Sequence, residues 1–332
     1  MWPTQGPNIM SLGRGERSDA SWGFELPLLS RRTLLVRSMQ GLAGASLGSA
    51  LGGRALLAQA PSAALGNGFH VLSLGATNVL AVTDPTGVAL VDGAPAGRAA
   101  DLSRILAAVP QSGKVHTLFN THWHPEQTGS NESVGQAGAT IVAQENTKQW
   151  LRTDVTWPWS DETVAPLPQV GLPNKTFYEE TELTVGGRIV RCGHLRDCPH
   201  TDGDMYVFFP EDNVLAVGDA VTGAGWPSID WWTGGWIGGL VGGIDMLFYV
   251  ANDDTRIVPA RGPVLTRADL RKQYDMYGVI WERLVKTLYG GGGPKEALAA
   301  KPTQEFDALM GPSDAFVERA FQSLWAYLSP DA

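Results

Sequence analysis

Basic residues are scarce and scattered in this chain. Its 332 residues include 25 Lys and Arg against 34 Asp and Glu. No run of the basic ones is long enough to follow a phosphate backbone, so a nucleic-acid partner is not expected. Charge of either sign is limited to 18% of the chain while 43% is hydrophobic, a balance that argues against wholesale disorder and for one substantial folded domain. The formal charge of −9 bears on solubility rather than fold. Long apolar runs are missing as well. The best candidate, residues 41–57, is short and broken by glycine, which excludes a comfortable membrane span. Cysteine occurs only at Cys192 and Cys198, and histidine only six times, so any clustering of histidines carries information.

The apolar stretch has a recognisable setting. Ser30-Arg31-Arg32-Thr33-Leu34-Leu35 precedes it and resembles a twin-arginine export signal, and Ala58-Gln59-Ala60 follows as a small-x-small sequence. Residues 1–64 are therefore expected to be a signal peptide with an N-terminal extension, and residues 65–332 the folded domain. The mature protein is expected in the periplasm or outside the cell, with no membrane span after processing; a retained cytoplasmic extension is the alternative. Pro61 hinders cleavage directly after Ala60, which makes a cut after Ala64 the second candidate.

Two of the six histidines stand one residue apart. His122-Trp123-His124-Pro125-Glu126-Gln127 ends the apolar run Val115-His116-Thr117-Leu118-Phe119-Asn120-Thr121. Side chains at i and i+2 leave a strand-like backbone on one side, so both imidazoles can aim at one point. Downstream, Pro199-His200-Thr201-Asp202-Gly203-Asp204 precedes the strand-like Met205-Tyr206-Val207-Phe208-Phe209, and Val214-Leu215-Ala216-Val217-Gly218-Asp219 is another apolar run ending in a carboxylate. His122, His124, His200 and Asp219 can thus meet along one sheet edge. They supply the nitrogen and oxygen donors that zinc prefers, and three protein ligands plus water is its usual catalytic arrangement.

These motifs, in this order from about Phe69 to the C-terminus, resemble the metallo-β-lactamase fold superfamily, whose signature is a His-x-His-x-Asp-His loop, a later His, a bridging Asp and a final His. The first two histidines match His122 and His124, the later one His200, and the bridging Asp matches Asp219. Two departures stand out: Glu126-Gln127 replaces Asp-His, and Arg261, in Pro259-Ala260-Arg261-Gly262-Pro263, replaces the final His. A guanidinium offers only donors and stays protonated, so Arg261 cannot bind a cation. It can supply beside Glu126 and Asp219 the positive charge that a second metal would bring. One Zn2+ is expected, with the second site doubtful.

The remaining pattern fits an α/β fold. Short strands are predicted at 69–72, 77–82, 87–92 and 139–143, a helix over 97–109, a hairpin at 184–190, a helix over 237–248 and a last strand at 255–259. Thr266-Arg267-Ala268-Asp269 opens a further helix like a capping box, and residues 316–328 form another. Two strand blocks with helices between and after them predict a four-layer αβ/βα sandwich with C-terminal covering helices.

The resemblance implies metal-dependent hydrolysis. A zinc-bound water, its pKa lowered towards about 7, would attack an ester, lactone, lactam or similar small substrate with an apolar part. Asp219 or Glu126 would take the proton, and Arg261 would bind a carboxylate or an oxyanion. Gln127, Arg261, Trp157, Trp159, Trp226 and Trp231 are candidate substrate-binding residues, the tryptophans being equally explicable as core aromatics, and Asp230 and Ser228 are nearby polar groups able to orient a substrate. The alternative reading is a catalytically degenerate ligand-binding member. Cys192 and Cys198 can close a disulfide in an oxidising compartment; otherwise Cys198 lies near the metal, or both are small buried residues. The expected partner is a small molecule, and the oligomeric state is left open.

Overall fold

Alternation along the strands assigns each side chain to one of two cores. In the computed structural model, which describes residues 62–328, β3 (Thr77–Asp84) and β4 (Gly87–Val91) are buried along their whole length, as strands covered on both faces are. Leu80, Val82, Ala89 and Val91 enter the central core, while Val79, Ala81, Val88 and Leu90 face the opposite way. These two strands lie in a seven-stranded sheet with β1 (Ser62–Gly66), β2 (Phe69–Leu74), β5 (Val115–Asn120), β6 (Thr140–Gln144) and β9 (Lys175–Phe177), in the order β1-β2-β3-β4-β5-β6-β9. β4, β5, β6 and β9 run parallel. Helix α1 (Ala99–Leu106) covers the outer face with Leu102 and Leu106.

A five-stranded sheet packs on the other side of the central core. It is ordered β10 (Glu180–Val185), β11 (Arg188–His194), β12 (Met205–Phe209), β13 (Val214–Gly218), β14 (Arg256–Pro259). In β12, Met205, Val207 and Phe209 point to the central core and Tyr206 and Phe208 away from it. The outward side chains pack with the helical layer, which the C-terminal part of the chain supplies. After the short helices α2 (Pro125–Thr128), α3 (Asn131–Gln136) and α4 (Glu145–Trp150) come α5 (Ile237–Val250), α6 (Arg267–Tyr289), α7 (Pro294–Ala299), α8 (Asp307–Met310) and α9 (Asp314–Leu328). Thr266 caps α6 in the predicted capping box with Asp269. The result is the expected four-layer αβ/βα arrangement.

Several details differ from the sequence reading. β1 begins at Ser62, three residues ahead of the boundary placed at 65, and pairs with β2. The stretch 153–176 holds a small ribbon of β7 (Val155–Thr156) and β8 (Thr163–Val164). The expected disulfide is absent, since Cys192 and Cys198 are both free. Cys192 points into the central core beside Val207 and Phe209, whereas the Cys198 thiol donates to the Arg196 carbonyl at 3.3 Å, so the two face different surroundings. The export motif, the apolar stretch and the small-x-small sequence lie outside the described residues. Among the described residues no helix is long and apolar enough to cross a membrane.

Candidate metal and active site

Three strand ends build the site. β5 delivers His122 and His124 in the loop before α2, the β11–β12 connection carries His200, and Asp219 directly follows β13. One ligand nitrogen from each of the three histidines lies within 4.8 Å of the others, and all three residues are buried. The glycine before Asp219 brings the last element close. Gly218 has φ +57°, and a Cβ there would lie 2.4 Å from Thr121 Oγ1. Only glycine combines that conformation with that approach.

The outer nitrogens of the imidazoles are pinned. His200 Nδ1 donates to the Ser228 carbonyl at 2.7 Å, and His124 Nε2 donates to Asp230 Oδ2 at 2.9 Å. His122 Nδ1 lies 3.1 Å from Thr121 Oγ1. With their hydrogens outward, His124 Nδ1 and His200 Nε2 turn lone pairs towards one another at 2.9 Å, a gap that only a shared proton or a cation can reconcile. His122 Nε2 is buried with no hydrogen-bond partner. Burial first, then the charges of His200, His124 and Arg261, hold the His122 imidazole well below its usual range and therefore neutral. A buried, convergent imidazole set with outer hydrogen bonds is what a metal-binding triad requires. The residues fit a divalent cation such as zinc.

The surrounding carboxylates orient this set. Burial works to raise the Asp230 pKa, but hydrogen bonds from His124, Trp157 and Thr233 prevail and bring it to about 2. Asp204 accepts from the backbone N–H groups of His200 and Thr201 at 2.7 and 2.8 Å, and burial, only partly offset, raises its pKa to about 6. Asp92, at the end of β4, accepts from Thr121 N–H and Oγ1; burial pushes it up to about 8 against those bonds. Asp92, Asp204 and Thr121 were missed as site residues because each works through a histidine or its loop, and no spacing rule marks such a partner. The left-handed φ of 64° at Asp92 is visible only in the fold.

Asp219 stands beside the triad rather than within it. Its Oδ2 is 3.7 Å from His122 Nε2 and accepts from Gln127 Nε2 at 3.0 Å, while Oδ1 accepts from Arg261 Nε at 3.0 Å. Gln127 and Arg261 thus meet on one carboxylate. Asp219, then burial in opposition and Glu126 in support, act on the Arg261 guanidinium, which is raised above its usual value. Gln127, expected to meet substrate, is fully buried and gives its N–H to Asp219. Asp230 and Ser228, expected to orient substrate, hold His124 and His200 instead.

The tryptophans divide. Trp157 packs edge-on to His124 at 5.8 Å and stacks on Trp123 at 5.5 Å, forming a wall behind the triad. Trp159 contacts Trp231 at 5.4 Å, and Trp231 Nε1 donates to Gln322 on α9. Trp226 stacks on Phe316 of α9 at 4.6 Å. A cavity of about 410 Å³ is lined by Asp219, Ser228, Arg261, Trp226, Phe316 and Arg319, among others. Arg319 had no sequence signal, since it lies on a covering helix far from the motifs.

The fold has known counterparts. A metallo-beta-lactamase family protein from Thermus thermophilus superposes with a TM-score of 0.61 at 20% identity, over 81% of this chain and 95% of that one. A metallo-beta-lactamase from Pontibacter korlensis gives 0.52 at 18% identity, over 65% and 98%. A stereoselective inverting sec-alkylsulfatase from a Pseudomonas species gives 0.59 at 14% identity over 79% of this chain, which spans 50% of that protein. At these identities the likeness concerns the fold. No curated protein sequence matches the chain. Residues 72–289 match the family model of the metallo-beta-lactamase superfamily, and the chain, with its three buried histidines on the expected strand ends, belongs to that superfamily.

Proposed function

We propose that this chain is an exported zinc-dependent hydrolase with one metal, acting on a small ester, lactone, lactam or sulfate ester with an apolar part. The observation that carries this reading is the convergence of three buried imidazole nitrogens, one without a hydrogen-bond partner, beside a carboxylate and an open cavity. His122, His124 and His200 would hold Zn2+, which when bound supplies Lewis acidity at the scissile group and acidifies water there. Asp219 orients the attacking water and accepts its proton at Oδ2, next to the Gln127 N–H that fixes the carboxylate. Arg261 keeps donors beyond Nε for the oxyanion that develops as the water oxygen adds. Engagement of both Asp219 oxygens by Arg261 and Gln127 supports one metal rather than two, because a second cation would have to displace a guanidinium. The name of the sec-alkylsulfatase relative supports including sulfate esters.

The test is metal analysis of the purified full chain, with chelation and zinc restoration, alongside turnover of 4-nitrophenyl acetate, 4-nitrophenyl sulfate, a lactone and a chromogenic β-lactam. One zinc per chain and chelator-sensitive turnover of at least one substrate is expected. A zinc-loaded protein inert to all four would favour the degenerate ligand-binding reading.

A further inference from the structure

The cavity beside the triad has a second guanidinium, on α9. Arg319 lines it together with Arg261. Its guanidinium carbon sits 3.3 Å from the centroid of the Trp159 ring, which fixes the group's plane. Nη1 is buried with no hydrogen-bond partner, and no ion pair engages Arg319 among the described residues. Arg261, by contrast, is neutralised by Asp219 at 3.0 Å. Burial lowers Arg319 only to about 10, so it is charged at neutral pH. Among the lining residues two guanidinium groups share one carboxylate, Asp219, while Asp230 and Glu318 act on Arg319 from outside the lining. A buried guanidinium donor without an acceptor is a costly arrangement that a ligand anion would relieve. Trp226, Phe316, Met310 and Pro312 supply the apolar remainder of the wall.

We propose that Arg319 is the specificity-determining residue of this cavity and binds the anionic group of a monoanionic substrate whose apolar body lies against Trp226 and Phe316. As a statement about substrate, this rests on the hydrolytic reading of the adjoining triad; as a statement about binding, it stands without it. The anion would be a carboxylate or a sulfate, groups whose paired oxygens match a guanidinium fork.

Calorimetric titration of the full chain with hexyl sulfate, hexanoate and 1-hexanol tests the assignment, with the protein zinc-loaded and again after chelation. At least one of the two anions should bind tighter than 1-hexanol in both states, and which anion prevails identifies the group. Arg319→Gln should weaken the preferred anion roughly 10- to 100-fold, the range of a charge-assisted hydrogen bond, and leave 1-hexanol unchanged; Arg319→Lys should recover part of the loss. Ala315→Glu offers an independent variant. Ala315 lines the cavity four residues before Arg319 on the same helix, so the new carboxylate would pair with the guanidinium and should suppress anion binding with Arg319 intact. Equal affinity for 1-hexanol and both anions, anion binding seen only with zinc present, or full anion affinity in both folded Arg319→Gln and folded Ala315→Glu would overturn the proposal. Arg319-dependent binding without turnover would uphold it while the hydrolytic reading fell.

Discussion

At the scale of single residues, the site depends on how each histidine is held from behind. His122→Ala, His124→Ala and His200→Ala should each lose the metal and any hydrolysis together, because two imidazoles hold zinc far less well than three. Metal analysis after dialysis reads this directly, and full zinc occupancy in His200→Ala would remove His200 from the ligand set. Asp230 makes the complementary case. It accepts from His124, Trp157 and Thr233, so Asp230→Ala strands several buried donors and should destabilise the protein by about 2–4 kcal/mol, measured by urea unfolding. Arg261→His tests the counter-charge: it frees one Asp219 oxygen and restores a ligand-capable side chain, and should raise zinc stoichiometry above that of wild type at saturating zinc. An unchanged count would mean that Arg261 is not what closes the second site. The triad itself was legible in the sequence, because i, i+2 histidines at a strand end announce a shared direction. Asp92 and Arg319 were not, because their relation to the triad exists only across elements.

At the scale of elements, strand ends and helix clamps set the precision of the site. β13 reaches the His122 loop only because Gly218 takes φ +57° against Thr121. Gly218→Ala would add both left-handed strain of roughly 1–2 kcal/mol and a clash with Thr121, shifting Asp219. Thermal unfolding should show a loss of at least about that strain, with reduced zinc retention. A second clamp joins α6 to the segment after α7: Arg283 makes two bonds to the Glu305 carboxylate and one to the Pro302 carbonyl. The hydrogen bonds from Arg283, more than its charge, lower Glu305 from 4.5 to about 2. Its folded pKa being depressed, the pair contributes fully above the unfolded value and is lost as pH falls through about 2. Acid-unfolding curves of wild type and Glu305→Gln should therefore differ above about pH 4.5 and converge near pH 2; a constant offset through that range would remove the pair from the acid response.

For the molecule as a whole, the N-terminal strand bears on export. Ser62, Ala63 and Ala64 pair with Leu72, Val71 and His70, so cleavage after Ala60 preserves β1 and cleavage after Ala64 removes most of its register. If export occurs, the mature N-terminus should lie before Ser62 despite Pro61, as mass spectrometry of the exported form would show. Arg31→Lys with Arg32→Lys keeps the charge but should leave the precursor in the cytoplasm, since the twin-arginine signal is read by a receptor. An intact chain from Met1 in cells with a working pathway would argue for a retained extension.

By itself the sequence determined the layers and the ligands. Continuous apolar runs mark β3, β4, β12 and β13 as strands covered on both faces, with alternate side chains entering opposite layers, and period 3.6 with a capping box fixes α6; both are local consequences of backbone geometry. Tertiary structure alone decided the rest. Cys192 and Cys198 are six positions apart, yet strand direction sends one into the core and leaves the other in a loop. Gln127 was free to meet substrate until the fold placed it under Asp219. Arg319 lines the cavity beside Asp219 and Arg261 only through the packing of α9. Such contacts join residues dozens to hundreds of positions apart, and their energies depend on distance and burial, which only the packed chain defines.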